Sequence, residues 1–144
     1  MYERHAAFWD TIEEAIVSGL EGERRERYFS RAAGLRGGML TLLIFEDRSR
    51  SGVRDGLTEA EAGDQASQSL GMLQLALWLT LTSSGLATSL QHWHAFLEDT
   101  ALAFCGLPLE GYRLVALMPM GYAVESPPAR VAAPSRVAFE RCVP

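Results

Sequence analysis

Between Asp64 and Glu98 the chain carries no formally charged residue, although acids and arginines recur through the rest of its 144 residues. An amphipathic surface helix needs a charged face, so a helix built from this run must be covered nearly all round, by its own domain, a partner subunit or lipid. The helical part, Ala66 to Ser83, is barely long enough to span a bilayer. Gln65, Gln68 and Gln74 with several Ser and Thr residues suit a membrane poorly, and no second span or basic flank supports one. The sequence therefore expects protein cover and no membrane partner.

The length suits one domain, 1–144, able to bury a core without staples. A net charge of -5 argues against a nucleic-acid partner, and the small cluster Arg24, Arg25 and Arg27 is interleaved with Glu21, Glu23 and Glu26, as on a solvated helix end. All 13 basic residues are arginine. The absence of lysine excludes a phosphate-binding Walker lysine, a Schiff base and a Ser-x-x-Lys nucleophile. Cys105 and Cys142 stand alone and far apart, as idle thiols do, and His92 and His94 lack a third ligand at useful spacing, so no metal is expected. The opening MYERHAAFWD is too charged for a signal peptide, which makes a cytoplasmic protein the expectation.

Phe8, Trp9, Ile12, Ile16 and Leu20 fall at helical spacing within an amphipathic helix over Ala6–Leu20, closing near Gly19 or Gly22. Glu23–Ala33 continues as a charged helical connection that Gly34, Gly37 and Gly38 interrupt. Met39–Phe45 is a near-continuous apolar run and is expected as a strand inside the sheet, covered on both faces. Arg48–Gly63 is expected as an exposed loop with a short helical turn near Thr58. The long helix Ala66–Ser83 ends at Ser83, Ser84 and Gly85; Leu86–Trp93 is a short strand or extended loop; Phe96–Phe104 is a shorter helix that Pro108 keeps from continuing. Tyr112–Met118 is the second clear strand, Pro119–Tyr122 a turn, and 123–144 an extended Pro-, Ala- and Arg-rich tail. This order implies an α+β domain.

The run QSLGMLQLALWLTLTSSGLATSLQHW, Gln68 to Trp93, resembles the long central helix and following loop of the FMN-dependent nitroreductases, most closely the branch reading roughly QSSGMAQ…GLGASLQH. Phe8-Trp9-Asp10 resembles that branch's early FWD, and LRGGMLTLLIFED, Leu35 to Asp47, its glycine-rich entry to a strand ending in Phe-Glu-Asp. LPLEGYRLVALMPMGYAVESPP is similar to its Ile-Pro, Trp-Lys-Leu, Gln-Met-Pro-Phe-Gly series, and Glu140-Arg141 to its closing Glu-Arg. The resemblance covers nearly the whole chain but about the last two-thirds of a family member. The family's Arg-Arg-Ser/Thr motif, which grips the FMN phosphate, and its Pro-Ser-x-x-Asn motif have no counterpart here.

The resemblance implies a nitroreductase-like α+β sandwich, N-terminally shortened, with an antiparallel-rich sheet covered by helices and a homodimer burying the Ala66–Ser83 helix. It implies FMN as cofactor, NAD(P)H as hydride donor, and a nitroaromatic or quinone as acceptor. Leu90, Gln91, His92 and Trp93 match the loop that passes the reactive edge of the flavin, where backbone N–H groups favour the electron-rich reduced ring. Arg130, Arg136 and Arg141 are candidates for the basic residue that family members place on the FMN phosphate. Gln68, Ser69, Gly71 and Met72 match the motif but suit close helix packing better than catalysis. Glu46 and Asp47 share a strand end, solvated or functional. A flavin-free dimeric remnant, acting as a binding or structural module, is the alternative function.

Overall fold

The computed structural model describes residues 2–49 and 56–125. The first helix, α1 (Tyr2–Gly19), starts ahead of the expected Ala6 and buries the anticipated stripe Phe8, Trp9, Ile12 and Ile16, with Leu20 just beyond it. Next, α2 (Gly22–Arg36) runs straight through Gly34 and closes at Gly37. A helical glycine costs about 1 kcal/mol relative to alanine. The neighbouring Ala32 and Leu35 offset it by packing into the core.

Strand β1 (Leu40–Asp47) follows, then α3 (Glu59–Ser83), β2 (Ala87–Thr88), α4 (His94–Cys105) and β3 (Tyr112–Gly121). The expected loop Arg48–Gly63 is therefore cut short, because α3 begins well before Ala66. A capping box sets that start: the Glu61 N–H donates to Thr58 Oγ1 (3.3 Å) while the Thr58 N–H donates to Glu61 Oε2 (2.8 Å). Both Thr58 donors hold the Glu61 carboxyl below the usual carboxylate range. No described helix is long and apolar enough to cross a membrane.

The described strands form a sheet of order β1-β3-β2, antiparallel throughout. Two expectations are corrected here. β1 lies at one edge of these strands and not between them; its near-continuous apolar run reflects cover on both faces, which an edge strand can also have. Pro119 and Met120 are not a turn but part of β3, which continues to Gly121. Pro119 is tolerated because pairing on that side is already thin. Its carbonyl accepts the Ser89 N–H at 3.0 Å, but it has no N–H with which to return the bond. Regular pairing with β2 stops at Thr88↔Met120 and resumes only as an isolated bridge, Gln91↔Leu117.

A β-bulge divides the side chains of β3 between two cores. The register passes from Ile44↔Ala116 to Phe45↔Leu114, so Val115 has no partner and turns to the same face as Ala116. On one face Leu114 and Leu117 meet α1, α2 and α4 through Trp9, Ile12, Ile16, Ala32, Leu97 and Ala101. On the other, Ile44, Val115, Ala116 and Met118 meet Leu77 and Leu81 of α3. The chain closes between these layers by backbone contact at Gly38, where a Cβ would lie 2.9 Å from the Met120 carbonyl oxygen.

The α3 helix is covered by its own domain along one stripe only. Gln74, Leu77 and Leu81 face the body, whereas Met72, Leu75 and Leu79, at helical spacing on the opposite side, are 66%, 57% and 62% exposed.

The junction of α1 and β1 is polar. The Trp9 indole N–H lies 3.0 Å from His5 Nε2 and 3.2 Å from Thr41 Oγ1, and the Thr41 hydroxyl is 3.1 Å from the same ring nitrogen. An indole N–H only donates, so His5 Nε2 accepts and is unprotonated. Burial, then the Arg36 charge, push the His5 pKa down. The folded state thus binds this proton more weakly than the unfolded chain. Its stabilising contribution is complete above the unfolded value of about 6.5 and is lost as pH falls from there through the folded pKa. Chemical denaturation at stepped pH should show stability falling across that window in the native protein, and a shallower fall in His5→Gln; equal slopes would contradict the assignment.

Candidate functional site

The loop expected to carry function is held at both ends. Upstream, α3 stops at Ser84, Gly85 adopts φ 83°, and the Leu86 N–H returns to the Leu81 carbonyl at 3.0 Å, turning the chain back along β3. Downstream, Trp93 opens α4. Between them Gln91 exchanges both backbone hydrogen bonds with Leu117, at 2.8 and 2.9 Å. Since Ser89 and Gln91 both face β3, the intervening Leu90 turns its N–H to the open edge of the sheet. Among the described residues, the backbone N–H groups of Leu90, His92 and Trp93 have no hydrogen-bond partner.

The four side chains go to different places. Leu90 packs inward with Leu77 and Leu81. Gln91 is buried, and its Nε2 donates to Ser89 Oγ at 2.7 Å. Trp93 is buried among aromatic rings, 5.3 Å from Tyr28, 6.3 Å from Phe96 and 6.5 Å from Trp9 between centroids. Only His92 is exposed. Its Nε2 lies 2.9 Å from Gln74 Oε1, an acceptor, so with this amide orientation the ring carries its proton on Nε2 and leaves the Nδ1 lone pair available. The expected residues thus come together, but what they offer a ligand is backbone donors and one imidazole. Arg130, Arg136 and Arg141 lie outside the described residues, as does Cys142.

Gln74 is the residue that sequence reasoning missed. It is buried, and it fixes the His92 ring from across the α3 interface. The signal was its place on the stripe Gln74, Leu77, Leu81, which puts an amide on the inward face of the helix.

Cavities flank the loop. One of ≈ 320 Å³ is lined by Arg27, Tyr28, Arg31, Gln91, His92 and Trp93. A larger one of ≈ 560 Å³, between the end of α2 and the ends of β2 and β3, is lined by glycine backbone and has no charged side chain. A third, of ≈ 420 Å³, mixes Arg48 and Arg113 with His94, Glu98 and Asp99. Its charges have structural work: Glu98 Oε2 accepts the Leu114 N–H at 3.0 Å, and Arg113 pairs with Glu46 at 2.7 Å. Glu46 is thereby an ion-pair partner, and Asp47 accepts from the Ser49 N–H and hydroxyl. Burial pushes the Cys105 thiol pKa up, away from reactivity. Among the described residues no group of three His, Cys, Asp or Glu could hold a metal ion.

No protein-family model matches the sequence, and no curated protein matches it at a significant level. Solved structures do resemble it. Nitroreductase CinD from Lactococcus lactis in complex with chloramphenicol superposes with a TM-score of 0.76 at 19% identity, over 95% of this chain and 71% of that one. The FMN-dependent nitroreductase NfnB from Mycobacterium smegmatis in complex with NADPH gives 0.58 at 22% identity, over 96% and 60%. The FMN and NADPH-dependent NfnB from sphigopyxis sp. strain HMH gives 0.55 at 19% identity, over 96% and 76%. The likeness is one of fold, and it is the α+β nitroreductase-like fold that the sequence implied.

The loop makes contrasting demands on its neighbours. Trp93→Ala should cost about 3–5 kcal/mol in chemical denaturation, as for a buried aromatic. His92→Ala should cost about 1–3 kcal/mol by leaving the buried Gln74 carbonyl unpaired. A Trp93 variant no less stable than the His92 variant would overturn this placement.

Proposed function

We propose that the chain is an FMN-dependent NAD(P)H oxidoreductase of nitroreductase type, acting as a homodimer on a nitroaromatic or quinone acceptor. The observation that carries this reading is the set of backbone N–H groups at Leu90, His92 and Trp93 that have no hydrogen-bond partner among the described residues, beginning at the open sheet edge of a nitroreductase-like fold. A row of fixed donors fits a planar ring whose edge is rich in acceptors, as the flavin's N5 and adjacent carbonyl are. The structural neighbours named with FMN and NADPH support the same cofactor and hydride donor.

When bound, FMN supplies a ring able to take a hydride from NAD(P)H and pass it to the acceptor. The chain's own part is positional. Leu90 and His92 would aim their N–H groups at the ring edge, favouring its electron-rich form. The Gln91–Leu117 bridge holds that stretch of backbone rigid. Gln74 fixes the His92 imidazole beside it. Arg130, Arg136 and Arg141 remain the proposed partners of the flavin phosphate.

Dimer formation is proposed through α3. Met72, Leu75 and Leu79 form an apolar stripe that the described residues leave exposed, and the i, i+3, i+7 spacing suits packing against another helix. A flavin-free dimer acting as a binding module is the second reading, because this stripe calls for a partner whether or not a flavin is held.

Purified protein should take up FMN with a changed flavin spectrum and oxidise NAD(P)H with a quinone or nitro acceptor. A folded sample that binds no FMN at about 100 μM would sink the enzyme reading and leave the binding module. Light scattering should give twice the 15.8 kDa chain mass, and Leu75→Asp with Leu79→Asp should yield monomers. A native monomer would contradict both readings.

A further inference from the structure

Arg27 and Arg31 stand one turn apart on α2, and both line the ≈ 320 Å³ cavity whose far wall is Gln91, His92 and Trp93. Among the described arginines, Arg36 pairs with Asp10 and Glu13, and Arg113 with Glu46. Among the described residues neither Arg27 nor Arg31 has an acidic partner, although Glu23 lies one turn before Arg27 on the same helix. Arg27 is held instead over the Tyr28 ring, 5.7 Å from its centroid, which restricts the guanidinium without neutralising it. Tyr28 is in turn fixed against Trp93 and Phe96 at 5.3 and 5.0 Å.

From this arrangement we infer a binding site for a phosphate monoester between α2 and the Gln91–Trp93 loop. Two planar forks on one helix face exceed what a carboxylate uses, since one fork satisfies both of its oxygens. A phosphate monoester dianion presents three acceptor oxygens and nearly two charges, and engages both. The walls are buried at Gln91 and Trp93, so the ligand sits in a pocket of small-molecule size. A nucleic acid would need an extended basic stripe, which a chain of net charge -5 lacks. The site rests on α2 and does not depend on the flavin reading.

Ribose 5-phosphate titrated by calorimetry into the full chain tests it, with ribose as the control. Binding should saturate with Kd of about 1 mM or tighter, and ribose should give none. Arg27→Ala and Arg31→Ala should each weaken it about tenfold, while Arg25→Ala, which removes the same charge from the same helix outside the cavity, should leave it within about twofold. Both targeted side chains are exposed, and circular dichroism verifies that the variants fold. No binding at about 10 mM, or an Arg25→Ala loss equal to that of Arg31→Ala, would overturn the site. Competition then identifies the source. Displacement by FMN but not riboflavin assigns the phosphate to the flavin; displacement by neither assigns it to a separate ligand, and the site stands even if FMN does not bind. Riboflavin competing as well as FMN would mean that the cavity recognises a ring, and the proposal would fall.

Discussion

The ladder between β1 and β3 is the constraint on which the rest of the molecule depends. β3 is the strand through which the other two are joined, and its residues from Leu114 to Met120 are nearly all buried, so both hydrophobic cores share it as a wall. A regular strand would alternate strictly between the two faces. The bulge at Val115 breaks that alternation and gives two consecutive residues to the α3 side while returning Leu114 and Leu117 to the other. Each large side chain buried there contributes about 1.5–3 kcal/mol relative to exposure. Removing the bulge would move every residue on one side of it to the wrong core.

The uncharged helix takes its meaning from this division. One core claims the inward stripe of α3, and the aromatic cluster of α1, α2 and α4 lies on the opposite face of the sheet, out of its reach. Among the described residues no second layer covers the stripe Met72, Leu75 and Leu79. The lack of charge along the helix and its position as the outer described layer are therefore two expressions of one arrangement.

Much of this was legible in the sequence. Helical spacing located the buried face of α1 residue by residue, and the apolar runs located β1 and β3. The family-like motif brought the loop Leu90–Trp93 forward as a unit, and the structure keeps those residues together. What sequence left hidden has identifiable causes. Gly34 and Pro119 carry local propensities against helix and strand, and in both cases tertiary packing prevails over them. The early start of α3 turned on the pair Thr58 and Glu61, whose spacing is a capping signature lying inside a polar stretch that otherwise suits a loop. The burial of Trp93 and Gln91 could not be separated from exposure by spacing, because in so short a segment it depends on which side of the Gln91–Leu117 bridge each residue falls.

Pro119 also bears on motion. Where a fully bonded sheet would hold the Ser89–Gln91 segment by reciprocal bonds at each facing pair, here the Ser89 pair has a single bond, and β3 cannot supply the other whatever the strand's position. Segments with fewer backbone bonds open at lower free energy than the body to which they attach, and amide exchange reports that difference. The stretch leading into the Leu90–Trp93 loop is thus tied to β3 by one bond fewer than a fully paired strand would have. The anchoring of the loop then falls on the Gln91–Leu117 pair, bonded in both directions, and on the Trp93 cluster that ties it to α4 and the core.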